Sequence, residues 1–80
     1  MVNIVSAIPI SFVEARKLTL DFLNGWAAKL PAAQRNSPTI VFDMRTWSIP
    51  EMAAQVQMNT GVGQRYVAYY VGSLKNYVVR

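Results

Sequence analysis

An 80-residue chain with no Cys and no His has to be held together by packing alone. No disulfide can form, and the thiolate and imidazole ligands of a structural zinc site are missing. A domain of about this size buries under about 70% of the surface its unfolded chain exposes, so its own core is thin. Small domains compensate with cross-links, metals or association, and association is the route left open here. The composition points the same way, with 52% hydrophobic and 15% charged residues, where ordinary soluble domains carry about a quarter charged. Residues 1–80 therefore read as a single small domain that hides part of its surface against a partner.

The net charge of +4 comes from eight bases facing four acids. It permits an anionic partner such as nucleic acid, but Arg16-Lys17 is the sole adjacent pair of bases and there is no basic tail. Residues 1–10 lack a positive n-region and Pro9 interrupts their apolar run, so no secretion signal is expected. No apolar run approaches the length of a membrane span. Together with the missing Cys, this places the expected location in the cytoplasm or in a particle assembled inside the cell.

Ser11-Phe12-Val13-Glu14 has capping-box spacing, in which hydroxyl and carboxylate satisfy each other's backbone N–H groups. It predicts a helix to about Leu30. Glu14, Lys17, Asp21 and Asn24 form its polar stripe, and Phe12, Ala15, Leu18, Phe22, Leu23, Trp26, Ala27 and Leu30 its apolar face. Pro31 stops it. Ser48-Ile49-Pro50-Glu51 repeats the box with Pro in the first turn, and Trp47 and Met52 stand where a hydrophobic staple would form. This second helix is expected to reach Met58, with Asn59-Thr60-Gly61 as its stop. Residues 2–8 and 39–45 read as strands, the latter central because Ile40, Val41 and Phe42 are consecutively apolar. Pro31 to Pro38 is a loop by composition.

The last segment has two readings. Val and Tyr dominate 66–71 and 77–79, and Gly72-Ser73 between them is a type II′ hairpin signal, giving strands 65–71 and 74–79. Val67, Tyr70, Val71, Leu74 and Val78 also fit one face of a C-terminal helix. With the hairpin, the order is β-α-β-α-β-β. That is an α/β or α+β domain with a mixed four-stranded sheet, two helices and a C-terminal hairpin. The order resembles a thioredoxin-type core without its final helix. The resemblance is in element order alone, and without a Cys-x-x-Cys it implies no redox activity.

Reactive chemistry is scarce. Glu14 and Glu51 occupy capping boxes, Asp21 lies on a polar helix face four residues after Lys17, and Asp43 stands alone. Neither a catalytic carboxylate pair nor an oxygen-rich metal site can be composed from them. The hydroxyls have no His to activate them. No catalytic residue, metal or cofactor is expected, and the chain reads as a non-enzyme. Asp43 and Arg45, near a strand's carboxyl end and beside the second helix, are the candidate polar site. A local ion pair between the two is the plainer explanation. Gly61-Val62-Gly63 follows a helix rather than opening one, so it reads as a cap and turn and not as a phosphate loop.

In the hairpin, Tyr66, Tyr70 and Tyr77 share a face with Lys75. A tyrosine-rich, charge-poor face suits a protein interface. The leading expectation is thus a non-enzymatic structural or assembly subunit, packed against itself or other protein subunits as in a virion or secretion-type assembly. The alternative is a small basic nucleic-acid-binding module that stacks bases on the same tyrosines, with Lys75, Arg65 and Arg80 nearby.

Overall fold

The computed structural model of the chain describes residues 8–79. A short strand β1 (Ile8–Ile10) leads into the long helix α1 (Phe12–Lys29), followed by a 3-10 turn over Ala32–Gln34. Two strands, β2 (Ile40–Phe42) and β3 (Arg45–Trp47), form an antiparallel hairpin, with Ile40 opposite Trp47 and Phe42 opposite Arg45. Helices α2 (Ile49–Gln57) and α3 (Gly61–Tyr69) come next, and α3 continues as a π-helical turn over Tyr70–Leu74. Strand β4 (Tyr77–Val79) then returns to pair in parallel with β1, Ile8 opposite Tyr77.

Local chemistry explains where the helices begin. Ser11 accepts a hydrogen bond from the Glu14 N–H at 3.1 Å and sets the first turn of α1. At α2 the box is reciprocal: the Glu51 N–H donates to the Ser48 hydroxyl at 3.1 Å, and the Ser48 N–H donates to the Glu51 carboxylate at 2.8 Å. Those bonds hold the Glu51 carboxyl below the usual carboxylate range, helped by the Arg45 charge. Thr60 caps α3 in the same manner, accepting from the Gly63 N–H at 3.1 Å. Each cap is worth about 1 kcal/mol, so the three fix element boundaries more than total stability.

The core lies where the three helices meet. Leu23 of α1, Ile49, Met52 and Val56 of α2, and Val67 with Val71 of the last helix are all fully buried. Each contributes about 1.5–3 kcal/mol by leaving water. Thr19 is buried with them, its hydroxyl donating to the Ala15 carbonyl one turn back at 2.8 Å. Trp47 closes one end of this core. It is 5% exposed, and its indole N–H donates to the Phe42 carbonyl at 3.0 Å, tying the two strands of the hairpin together just before α2.

Over the described residues the chain is thus a mixed helix and strand fold with three helices and two small sheets. The finer architecture read from the sequence is corrected. There is no four-stranded mixed sheet among the described residues, and the thioredoxin-like order does not hold. Residues 65–71 and 74–79 do not form a hairpin: the first run belongs to α3 and its π-helical end, in line with the helical alternative. Gly72-Ser73 is not a turn, since no described glycine has a positive φ, and type II′ geometry requires one there. The left-handed residue before β4 is Asn76, at φ 58°. The strand expected over 39–45 is instead broken by a turn at Asp43-Met44 into β2 and β3. Val41 in its middle is 79% exposed rather than buried. Of the strand expected over 2–8, Ile8 alone lies within the described residues, in β1.

Candidate functional site

Helices α2 and α3 pack on each other and are joined by Met58, Asn59 and Thr60. Asn59 takes the left-handed conformation, φ 56°, that ends a helix while turning the chain sharply. Thr60 then locks the turn from both sides: its hydroxyl donates to the Gln55 side chain at 2.7 Å and accepts from Gly63. Gly63 is where the two helices touch. A Cβ on it would collide with the Gln55 carbonyl and stand 2.8 Å from the Val56 nitrogen, so a hydrogen is all the contact admits. The Gly-Val-Gly run expected to be a cap and turn is therefore the opening turn of α3. The product is a helix-turn-helix unit braced from behind by α1.

One stripe of α3 faces this support: Gly63, Tyr66, Val67, Tyr70 and Val71 are buried. The other faces water, through Gln64, Arg65, Ala68 and Tyr69, with Gly72 and Ser73 further on. No acid lies on that outer stripe. All four acids of the chain fall within its first 51 residues, and from Met52 onward the charged residues are Arg65, Lys75 and Arg80.

The hairpin tip comes to the same place. Asp43 and Met44 form its two-residue turn, both with positive φ (55° and 62°), the geometry of a type I′ turn. The Asp43 carboxylate accepts from Arg65 Nη2 at 2.8 Å. Beyond the turn, the Arg45 guanidinium stacks 4.0 Å over the Trp47 ring and lies 3.9 Å from Glu51.

A second feature borders α3. Phe22 and Trp26 of α1, Ile40 and Val41 of β2, Tyr66 and Tyr69 of α3, and Leu74 wall a groove of about 270 Å³. Its aromatic rings continue into the core. Phe22 stacks on Tyr70 at 4.5 Å between centroids, and Phe42 meets Tyr66 edge-on at 5.2 Å. Burial, with Tyr69 and Tyr70 close by, pushes the Tyr66 phenol up to about 12.

The residues singled out from the sequence do not converge as the hairpin reading required. Tyr66 and Tyr70 do share a face, one helical turn apart, but that face is the core. Tyr77 is half-buried in β4, and Lys75 sits 5.9 Å from the Tyr70 ring. Tyr69, which a hairpin would have turned to the face opposite Tyr66 and Tyr70, is the exposed member of the cluster. Asp43 and Arg45 form neither a shared site nor a mutual ion pair, because each finds a different partner across the turn. Sequence reasoning missed Gln64 and the link from Asp43 to Arg65. The available signal was the helical alternative for 65–79, which puts 65, 68 and 69 on one outer stripe; Gln64 joins them because α3 begins earlier, at Gly61.

The chain matches no protein-family model, no curated protein and no solved structure. Among the described residues, no helix is long and apolar enough to cross a membrane, and no group of acids is placed to hold a metal ion.

Proposed function

We propose that the protein is a duplex-DNA-binding module that presents α3 to the major groove. The observation that carries this reading is the α2–turn–α3 unit, whose second helix exposes Gln64, Arg65, Ala68 and Tyr69 on a stripe with no acid of its own, Asp43 of the hairpin tip being, among the described residues, the one carboxylate that meets it. In such units the first turns of the second helix reach base edges, and here those turns carry Gln64 and Arg65. Gln and Arg are the side chains that make paired hydrogen bonds to adenine and to guanine respectively. Ala68, Gly72 and Ser73 keep the rest of the stripe low, which would let the helix sit deep, and the exposed Tyr69 would offer its hydroxyl to a phosphate. The net charge of +4, concentrated beyond Met52 relative to acids, supplies attraction to the phosphate backbone. The work is binding rather than catalysis, and a DNA partner puts it inside a cell. Fluorescence anisotropy with a labelled duplex tests the proposal: binding at low salt should weaken linearly in log affinity against log salt. An absence of duplex binding at low salt overturns it.

A second reading, a structural or assembly subunit, is favoured by the aromatic groove beside α3. Its walls carry no charge, and Val41 and Leu74 are exposed at its edge. That composition resembles the core of a protein interface. Light scattering at micromolar concentration checks this: a monomer with no dependence on concentration removes the self-assembly version.

A further inference from the structure

We infer that Asp43, at the hairpin tip, is a positioning residue that fixes Arg65 to select a guanine in duplex DNA. The inference rests on the DNA-binding reading of α3 above and adds to it a base type and a device for choosing it.

Three observations converge on the Arg65 guanidinium. The Asp43 carboxylate, 22 residues away in sequence, holds its Nη2 at 2.8 Å. Its Nη1 lies over Gly61, 3.5 Å from where a Cβ would stand there, so the side chain folds back along α3 towards the helix N-terminus. That is the end of the helix from which base edges are reached. The Arg65 side chain is also 57% exposed, which leaves it open to a ligand. A guanidinium carries five N–H donors in a rigid fork. With one of the Nη2 hydrogens engaged by Asp43, the other still pairs with an N–H on Nη1 or on Nε to form a two-pronged edge that matches guanine O6 and N7.

The turn that delivers Asp43 has an unusual sequence for its shape. A type I′ turn needs positive φ at both central residues and is normally filled by Asn-Gly or Asp-Gly. Here the second position is Met44, a residue with a full side chain at φ 62°, which is fully exposed and makes no compensating core contact. Left-handed backbone at a bulky residue is rarely adopted and collects where function requires it. A slack loop would not hold the carboxylate at one place over α3; this tight turn does. An unrestrained arginine samples many rotamers and loses that freedom on binding a base. Fixing it beforehand leaves less to lose, so the effect of Asp43 falls on base choice rather than on attraction to DNA.

The test uses the whole 80-residue chain and selection from a pool of randomised DNA duplexes, with affinities of the winning and single-base-changed duplexes measured by anisotropy. The unaltered chain should prefer guanine at one position by roughly five- to a hundredfold over other bases. Asp43→Asn, which keeps the left-handed turn because Asn tolerates it, should lose most of that preference. Its affinity for the base-changed duplexes should be unchanged or higher, since one negative charge near phosphate is gone. Arg65→Lys should lose the preference while keeping the salt dependence. If the chain binds duplexes but Asp43→Asn keeps the same guanine preference, the positioning role is wrong and the DNA-binding reading stands. If the chain binds no duplex at low salt, both fall together.

Discussion

Adding one methyl group at Gly63 should destabilise this protein, although the same change in most helices does the opposite. Ala is favoured over Gly in a helix by about 0.8–1 kcal/mol. An Ala Cβ at position 63 would overlap the Gln55 carbonyl and stand 2.8 Å from the Val56 nitrogen, well inside the roughly 3.5–4 Å of a comfortable carbon contact. The obstacle is α2 backbone, which cannot swing aside as a side chain would. α3 must therefore move outward, loosening the fully buried Val67 and Val71 beneath it. Overpacking of this kind costs about 1–3 kcal/mol and sometimes more. With the helix gain set against the upper part of that range, a net loss of about 2 kcal/mol is expected. For a domain of this length it appears as a fall of roughly 10–15 °C in melting temperature. Gly25→Ala supplies the control, since position 25 lies in α1 with nothing within 4 Å of the new Cβ. That change should raise stability by about 0.4–1 kcal/mol. Thermal and urea unfolding of both variants read the two signs directly. If Gly63→Ala melts at or above the parent, α3 does not approach the Gln55 carbonyl through Gly63.

Two further outcomes can be checked on the same samples. Trp47→Ala removes a ring that is 5% exposed together with its bond to the Phe42 carbonyl, so it should cost about 3–5 kcal/mol; an unchanged urea midpoint would show that the hairpin is not clamped by Trp47. Alkaline titration probes Tyr66, whose phenol is pushed up to about 12 by burial. The unfolded chain gives up this proton near pH 10 and the folded chain holds it to about pH 12, so between those values the folded state binds more protons and loses stability as pH rises. The slope is about 1.4 kcal/mol per pH unit. A tyrosinate absorbance change lagging towards pH 12 is the signature, and its disappearance in Tyr66→Phe assigns it.

The helix starts were legible because their determinants are local. Ser11 with Glu14, and Ser48 with Glu51, sit three residues apart and need no knowledge of the rest of the chain. Each of these elements begins where its box places it. The polar stripe of α1 was legible for the same reason, and Glu14, Lys17, Asp21 and Asn24 are all exposed. Leu18, expected on its apolar side, is 38% exposed, because the fully buried line runs through Ala15, Thr19 and Leu23 instead. The run from Tyr66 to Val71 was misread because Val and Tyr favour strands when nothing else decides. What decided was tertiary: placing Gly63, Tyr66, Val67, Tyr70 and Val71 on one helical stripe buries all five against the other helices. A strand would have split Tyr66 from Val67 and Tyr70 from Val71 onto opposite faces.

The site was less legible than the fold, for a reason that follows from its construction. Its defining contact joins Asp43 to Arg65, across two helical ends and a hairpin turn, and no spacing rule connects residues so far apart. The turn was hidden as well, because Asp43-Met44 lacks the glycine by which a type I′ turn is usually recognised. Yet this atypical turn is what separates Asp43 from Arg45. Had residues 39–45 formed one straight strand, the two would have stood on the same face, two residues apart, and neutralised each other. The turn instead sends Arg45 to Glu51 and Trp47, where it reinforces the start of α2, and frees the Asp43 carboxylate to reach α3. Asp43, Arg45, Glu51 and Arg65 thus form two separate surface ion pairs, one at the start of α2 and one on α3. Both pairs start from a single eight-residue hairpin, so under the DNA-binding proposal this hairpin would set how the outer stripe of α3 meets the groove.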